Sequence, residues 1–161
     1  MSNKSILSTP RTDGTAVPAG YIGEVVTWTT PPTTQSLTTT LTDWTNAFIT
    51  LNKGRWLINV QVSASYFSGT TTGADGGTEV QITNSSNSII QNMDNVFSGG
   101  KSTGQSIIAR GTLSFSAVVD VSSDGTIYKI RARYFDNAGS GSGAVENGPD
   151  IRSRFFAVRL I

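Results

Sequence analysis

An all-β fold of antiparallel strands, arranged as a sandwich, barrel or jelly roll, is predicted by three observations. First, in the stretch from Gly54 to Phe67 every second residue from Trp56 onward is apolar, Trp56, Ile58, Val60, Val62, Ala64 and Tyr66, and their neighbours are largely polar: Asn59, Gln61, Ser63 and Ser65. A period of two places one set on a core face and the other on the opposite face of a strand. Second, Ser106 to Val121 repeats the pattern, with Ile107, Ala109, Gly111, Leu113, Phe115, Ala117, Val119 and Val121 on one face. Third, no segment holds a helical period over ten residues, and Gly, Asn, Ser and Pro clusters separate the alternating runs.

Taken in order, residues 1–20 are polar and broken by Pro10, Gly14, Pro18 and Gly20, and they are expected to form an arm or linker. Residues 21–161 form the single folded head. Tyr21 to Trp28 opens it as a strand that Pro31-Pro32 ends, and Leu37 and Leu41 anchor a short edge strand in the Thr-rich stretch that follows. Trp44 to Leu51 points Ala47, Ile49 and Leu51 inward, and Asn52-Lys53-Gly54 turns the chain into the long strand. Thr78–Thr83 and Ser88–Met93 pair around Asn84-Ser-Ser-Asn87. Ser122-Ser-Asp-Gly125 turns the second long strand into Thr126–Asp136, and Ile151–Ile161 closes the chain. With strands alternating up and down, the turns at 52–55, 84–87 and 122–125 share one end with the arm and the C-terminus. The longer connections at 29–36, 68–77, 94–105 and 136–150 share the other, which makes that end the expected working tip.

Composition narrows the function. Only 14% of the 161 residues are charged, against about 25% in an average domain, and the net charge is +1. That balance gives no reason to expect nucleic acid as a partner. Cys and His are both absent, which removes disulfides, thiolates, the commonest general base and the commonest metal ligand. Residues 1–20 hold no apolar run long enough for a signal peptide or membrane insertion.

Candidate sites are few. Asp120-Val-Ser-Ser-Asp-Gly125 begins like a calcium-binding EF-hand loop, but Arg131 stands where a bidentate Glu is required, so a hairpin turn is expected. Asp75, Glu79 and Asp94 are expected to be solvated loop acids rather than a cation site, so no metal and no cofactor is predicted. A hydroxyl nucleophile lacks a His to activate it, and among the eleven acids only Glu24 lies in a partly apolar context. The chain is therefore expected not to be an enzyme; a surface-polysaccharide hydrolase or lyase is the alternative of a different class. Arg131 and Arg133 share a strand face, as do Arg152 and Arg154, and three roles stay open: a solvated face, ion pairs at a subunit interface, or an anion site for sugar acids or phosphate. Trp28, Trp44, Trp56 and Phe115 are expected in the core. Tyr66, Phe67, Asp75, Lys101, Tyr134, Asp136, Asn137 and Glu146 fall at the long-connection end and are the candidate ligand contacts.

Three segments also carry a resemblance: Tyr21-Ile-Gly-Glu24, Leu41-Thr-Asp-Trp-Thr-Asn46 and Ile49-Thr-Leu-Asn-Lys-Gly-Arg-Trp56. In that order, with the terminal Phe155-Phe-Ala-Val-Arg-Leu-Ile161, they resemble the knob at the tip of bacteriophage tail needles, tail fibres and fibrous adhesins. The resemblance covers about residues 20–161. It implies a tumour-necrosis-factor-like, complement-globular-head-like jelly roll of about eight to ten strands. It further implies a homotrimer on a fibre shaft, on a virion tail tip or otherwise extracellular, binding a glycan or protein receptor on a host cell. No coiled-coil or β-helical shaft is present in the sequence itself. Independently of the resemblance, Leu57 and Phe67 lie opposite the core row of their strand, and Phe155-Phe156 and Leu160-Ile161 are consecutive apolar pairs. One member of each pair must leave the core. Leu57, Phe67, Phe155, Arg159 and Ile161 are the candidate trimer contacts.

Overall fold

The computed structural model describes residues 19–68, 75–98, 107–136, 141–148 and 152–161, all as strands, turns and irregular segments. Ten strands form: β1 (Val25–Thr27), β2 (Gln35–Leu37), β3 (Thr42–Leu51), β4 (Gly54–Ser68), β5 (Asp75–Asn84), β6 (Ile89–Ser98), β7 (Ile107–Val121), β8 (Thr126–Asp136), β9 (Ser142–Glu146) and β10 (Arg154–Arg159). They make two antiparallel sheets. In one, β1 pairs β10, β10 pairs β4 and β4 pairs β7; in the other the order is β3-β8-β5-β6. Early and late strands alternate in both sheets, which is the interleaving of a jelly roll.

The core lies between the sheets. The alternating sets do what their period requires: Trp56, Ile58, Val60, Val62, Ala64 and Tyr66 of β4 are buried, as are Leu113, Val119 and Val121 of β7. They meet Ile49 and Leu51 of β3, Val80 and Ile82 of β5, and Ile130 and Ala132 of β8. Trp44 also faces inward. Two residues, Thr45 and Asn46, lie between it and Ala47, so the register slips between Asp43 and Phe48, and Asn46 takes a φ of 66°. Gln35 holds this bulge, its amide donating to the Asp43 carbonyl and accepting from the Thr45 N–H. An extra residue in one strand is how Trp44 and Ala47 come to share a face.

Several boundaries differ from the sequence reading. β1 is only three residues long, because Tyr21–Gly23 turns before it. β5 and β6 pair from Asp75↔Ser98 onward, so the connection expected over 68–77 ends earlier, and the one expected from 94 begins later, than composition suggests. Composition also hid β9, which lies within the Gly/Ser/Asn stretch read as a loop over 136–150. β9 pairs with Ser63–Phe67 of β4, while β10 takes Trp56–Gln61 of the same edge. The two strands lie end to end along β4, which is why a five-residue strand found room there.

The polarity of the barrel-like head follows from these registers. The turns between β3 and β4, β5 and β6, and β7 and β8 lie at one end with Gly20 and the C-terminus, as expected. The ends of β4, β6 and β8 and the starts of β5, β7 and β9 lie at the other. The 29–36 stretch does not belong there. β1 and β2 run in the same direction, and the connection between them steps across at mid-height, beside Asn147.

Candidate functional site

The residues expected at the working tip separate once placed. Tyr66 is 1% exposed and packs beneath the tip: a Cβ on Gly76 would sit 2.2 Å from its ring, and one on Gly141 would sit 2.8 Å from its hydroxyl. Those glycines exist where the ring needs the space, so Tyr66 cannot stack on a ligand. Tyr134 is half-buried against the core, and its backbone N–H donates to Thr38. Asp136 accepts a hydrogen bond from the Gly141 N–H. Glu146 lies at mid-height opposite Ser63, its carboxylate largely buried and 3.6 Å from Arg110; it is not a tip residue. Phe67 is 39% exposed and does stand at the tip. Asp75 begins β5 at that end. Lys101 and Asn137 lie outside the described residues.

The candidate trimer contacts also divide. Phe155 is fully buried between the sheets and is no surface contact; its neighbour Phe156 takes the outward position. Arg159 turns inward at the short-turn end, where it caps the core over the Trp56 ring at 5.3 Å, meets Glu24 at 3.4 Å and donates to the Lys53 carbonyl. Its charge is spent within the subunit. Leu57 faces outward and Ile161 is exposed.

The outer faces of the two sheets differ in chemistry. On the β3-β8-β5-β6 face, Asp43 bonds Lys129 at 2.6 Å and Arg131 at 3.0 Å, and Glu79 bonds Arg133 at 2.5 Å and Gln81 at 2.6 Å. Glu79 is therefore a buried, paired acid rather than a solvated one. Asp94 stands opposite it in register; burial first, then the Glu79 charge, pushes its carboxyl above the usual range, with Arg133 opposing. On the other sheet the register aligns Val25, Val158, Leu57 and Val118 in one outward row across four strands. Val25 is 61% and Val118 is 51% exposed. The next row is Thr27, Phe156, Asn59 and Ser116, and the one above begins Arg154, Gln61 and Ser114. Apolarity thus falls away from the short-turn end, where Ile22, Leu160 and Ile161 are also exposed.

Between those rows and the β1–β2 connection lies a cleft of about 560 Å³, lined by Thr27, Trp28, Asn147, Arg152, Arg154 and Phe156 among others. Sequence reasoning paired Arg152 with Arg154 but had no means of bringing Trp28 and Asn147 to them. A second hollow, of about 390 Å³, opens at the β3 bulge between Asp43, Phe48, Ile127 and Lys129.

A scan of protein-family models finds no match, and neither does a search of curated proteins. Solved structures of infectious bursal disease virus are similar in part. The VP2 subviral particle is 12% identical, with 85% of this chain aligned to 37% of that one and a TM-score of 0.34. The T=1 particles derived from that virus give 11% identity, 84% and 35% coverage, and a TM-score of 0.35. The chain spans little more than a third of their length. The jelly-roll assignment rests on the strand order above and takes nothing from this likeness.

Proposed function

We propose that the chain is a trimeric, non-enzymatic head that binds a cell-surface receptor, glycan or protein, from the end of a fibre. The observation that carries the reading is the Val25–Val158–Leu57–Val118 row. An outward apolar row continuous across four strands of one sheet, beside a sheet whose outer face carries ion pairs with Phe48, Ile89, Val96 and Ile127 exposed separately among them, marks the face that leaves water on assembly. Around a threefold axis each subunit would present this face once, and permanent interfaces of that kind bury on the order of 2,000 Å² or more. The row lies at the end where Gly20 enters, so whatever precedes the head joins it beside the axis, leaving Phe67 and the tip free. Together with the resemblance of the 21–56 and 155–161 segments, this favours a bacteriophage tail fibre or tail needle knob, with a bacterial adhesin tip as the second form.

Binding rather than turnover is supported by the acids. Glu24, Asp43, Glu79, Asp120 and Glu146 each lie within 4.0 Å of a basic side chain, so these carboxylates are engaged in ion pairs within the subunit. Sedimentation at low micromolar concentration tests the assembly: three chain masses are expected, and a single chain mass overturns it. Leu57→Glu should give a folded monomer. Incubation with isolated surface polysaccharide should leave polymer length unchanged; shortening would identify a hydrolase or lyase instead.

A further inference from the structure

We infer that the cleft between β1, β10 and the residues Asn147, Gly148, Arg152 and Ser153 is a binding site for a sugar that carries a carboxylate, such as a hexuronic acid. The cleft exists because β1 stops early. β1 covers only Phe156–Val158 of β10 and then departs through Trp28, leaving the Arg154 end of that edge without a strand beside it.

Its walls are fixed before any ligand arrives. Trp28 is held edge-on by Trp44, centroids 6.2 Å apart, and by Phe155 at 6.5 Å. The Asn147 amide donates to the Pro32 carbonyl at 2.7 Å and accepts from the Ser153 N–H at 3.1 Å, which ties the two rims together. Ser153, itself buried, donates its hydroxyl to the Glu146 carbonyl and accepts from the Ser63 N–H. Side chains ordered in advance lose little entropy on binding.

Charge selects the ligand. Among the described residues, Arg55, Arg110, Arg131, Arg133 and Arg159 each have a carboxylate within 4.0 Å. Arg152 and Arg154 have none among those residues, and both line this cleft, whose described lining holds no acid. A protein that pairs its other described guanidinium groups and leaves two together beside an aromatic wall has an anion site. A guanidinium fork matches a carboxylate with two parallel hydrogen bonds. The Trp28 and Phe156 rings offer apolar surface to the C–H face of a pyranose. Acid and ring together specify an acidic sugar over a neutral one, and over a bare anion. The volume falls in the range of about 300–1,000 Å³ usual for small-ligand sites.

This rests on the head reading and deepens it by naming a ligand class. The contact lies on the β1-β10-β4-β7 sheet above the Val25–Val118 row, so in the proposed trimer the cleft opens beside the subunit interface and below the tip. The test is a titration of the full chain with glucuronic acid, glucose, acetate and inorganic phosphate, followed by NMR at the Trp28 indole. Glucuronic acid should shift that signal at low millimolar concentration, with glucose and acetate at least about tenfold weaker, a difference of about 1.4 kcal/mol. The Arg152→Gln, Arg154→Gln double variant, whose exposed side chains make no internal bond, should keep its melting temperature and lose the response. Silence from glucuronic acid overturns the proposal, as does an equal response to glucose, acetate or phosphate, or an undiminished response in the double variant. A trimer that ignores glucuronic acid refutes the cleft and spares the head; a monomer that binds it does the reverse.

Discussion

Phe155 and Phe156 show how much depends on one position in a strand. They are chemically identical neighbours, yet one fills the core beside Trp28 and the other faces outward. Phe155→Ala should therefore cost about 3–5 kcal/mol in chemical denaturation, because it removes a ring from a packed interior and leaves a cavity. Phe156→Ala should cost far less. Asp94 makes a second prediction at this scale. Its carboxyl titrates above the ordinary value in the folded protein, so within the window just above that value the folded state holds more protons than the unfolded one. Stability should rise as pH falls through the window and stay flat below it. Asp94→Asn should abolish that slope in melting curves recorded between neutral pH and the ordinary carboxylate range. A slope of unchanged size would assign it to another group.

At the scale of elements, β9 and β10 share one edge of β4, and Ser153 is the joint between them. Its hydroxyl satisfies the N–H of Ser63, where the β4 ladder with β9 begins, two residues beyond Gln61, the last β4 residue paired to β10. Ser153→Ala leaves that buried donor unsatisfied and should cost about 1–3 kcal/mol by thermal or chemical unfolding. Hydrogen exchange should quicken at Ser63 first. Exchange that stays as slow as in the parent chain would show that another group takes over the bond. The bulge in β3 follows the same logic, a local irregularity held by Gln35 so that Trp44 can reach the core.

For the whole molecule, the contrast between the two outer faces yields a paired test. Val118 and Ile127 are both exposed apolar residues, at 51% and 38%, but Val118 belongs to the four-strand apolar row and Ile127 to the ion-paired sheet. If the proposed trimer forms through the apolar row, Val118→Arg should yield folded monomers, whereas Ile127→Arg should sediment as the parent does. If both variants dissociate, or only Ile127→Arg does, the axis does not run along the β1-β10-β4-β7 sheet.

The sequence by itself determined the all-β class, the inward rows of β4 and β7, the Asn84–Asn87 and Ser122–Gly125 turns, and the end at which the termini gather. Each follows from a period of two or from turn chemistry, which are local properties. It also placed Leu57 outside the core. What it left undecided depends on contacts distant in the chain. β9 carries too little apolar alternation to stand out from its Gly and Ser neighbours, and it is a strand because β10 leaves part of the β4 edge open. Consecutive phenylalanines are symmetric to a periodicity argument, so only the register with Val60 and Asn59 assigned Phe155 inward and Phe156 outward. Arg159 sits where alternation would also allow an exposed cation, and Trp56 and Glu24 draw it in. The cleft joins Trp28 to Arg152 and Arg154 across more than a hundred residues, a distance that spacing along the chain cannot cross and that folding closes.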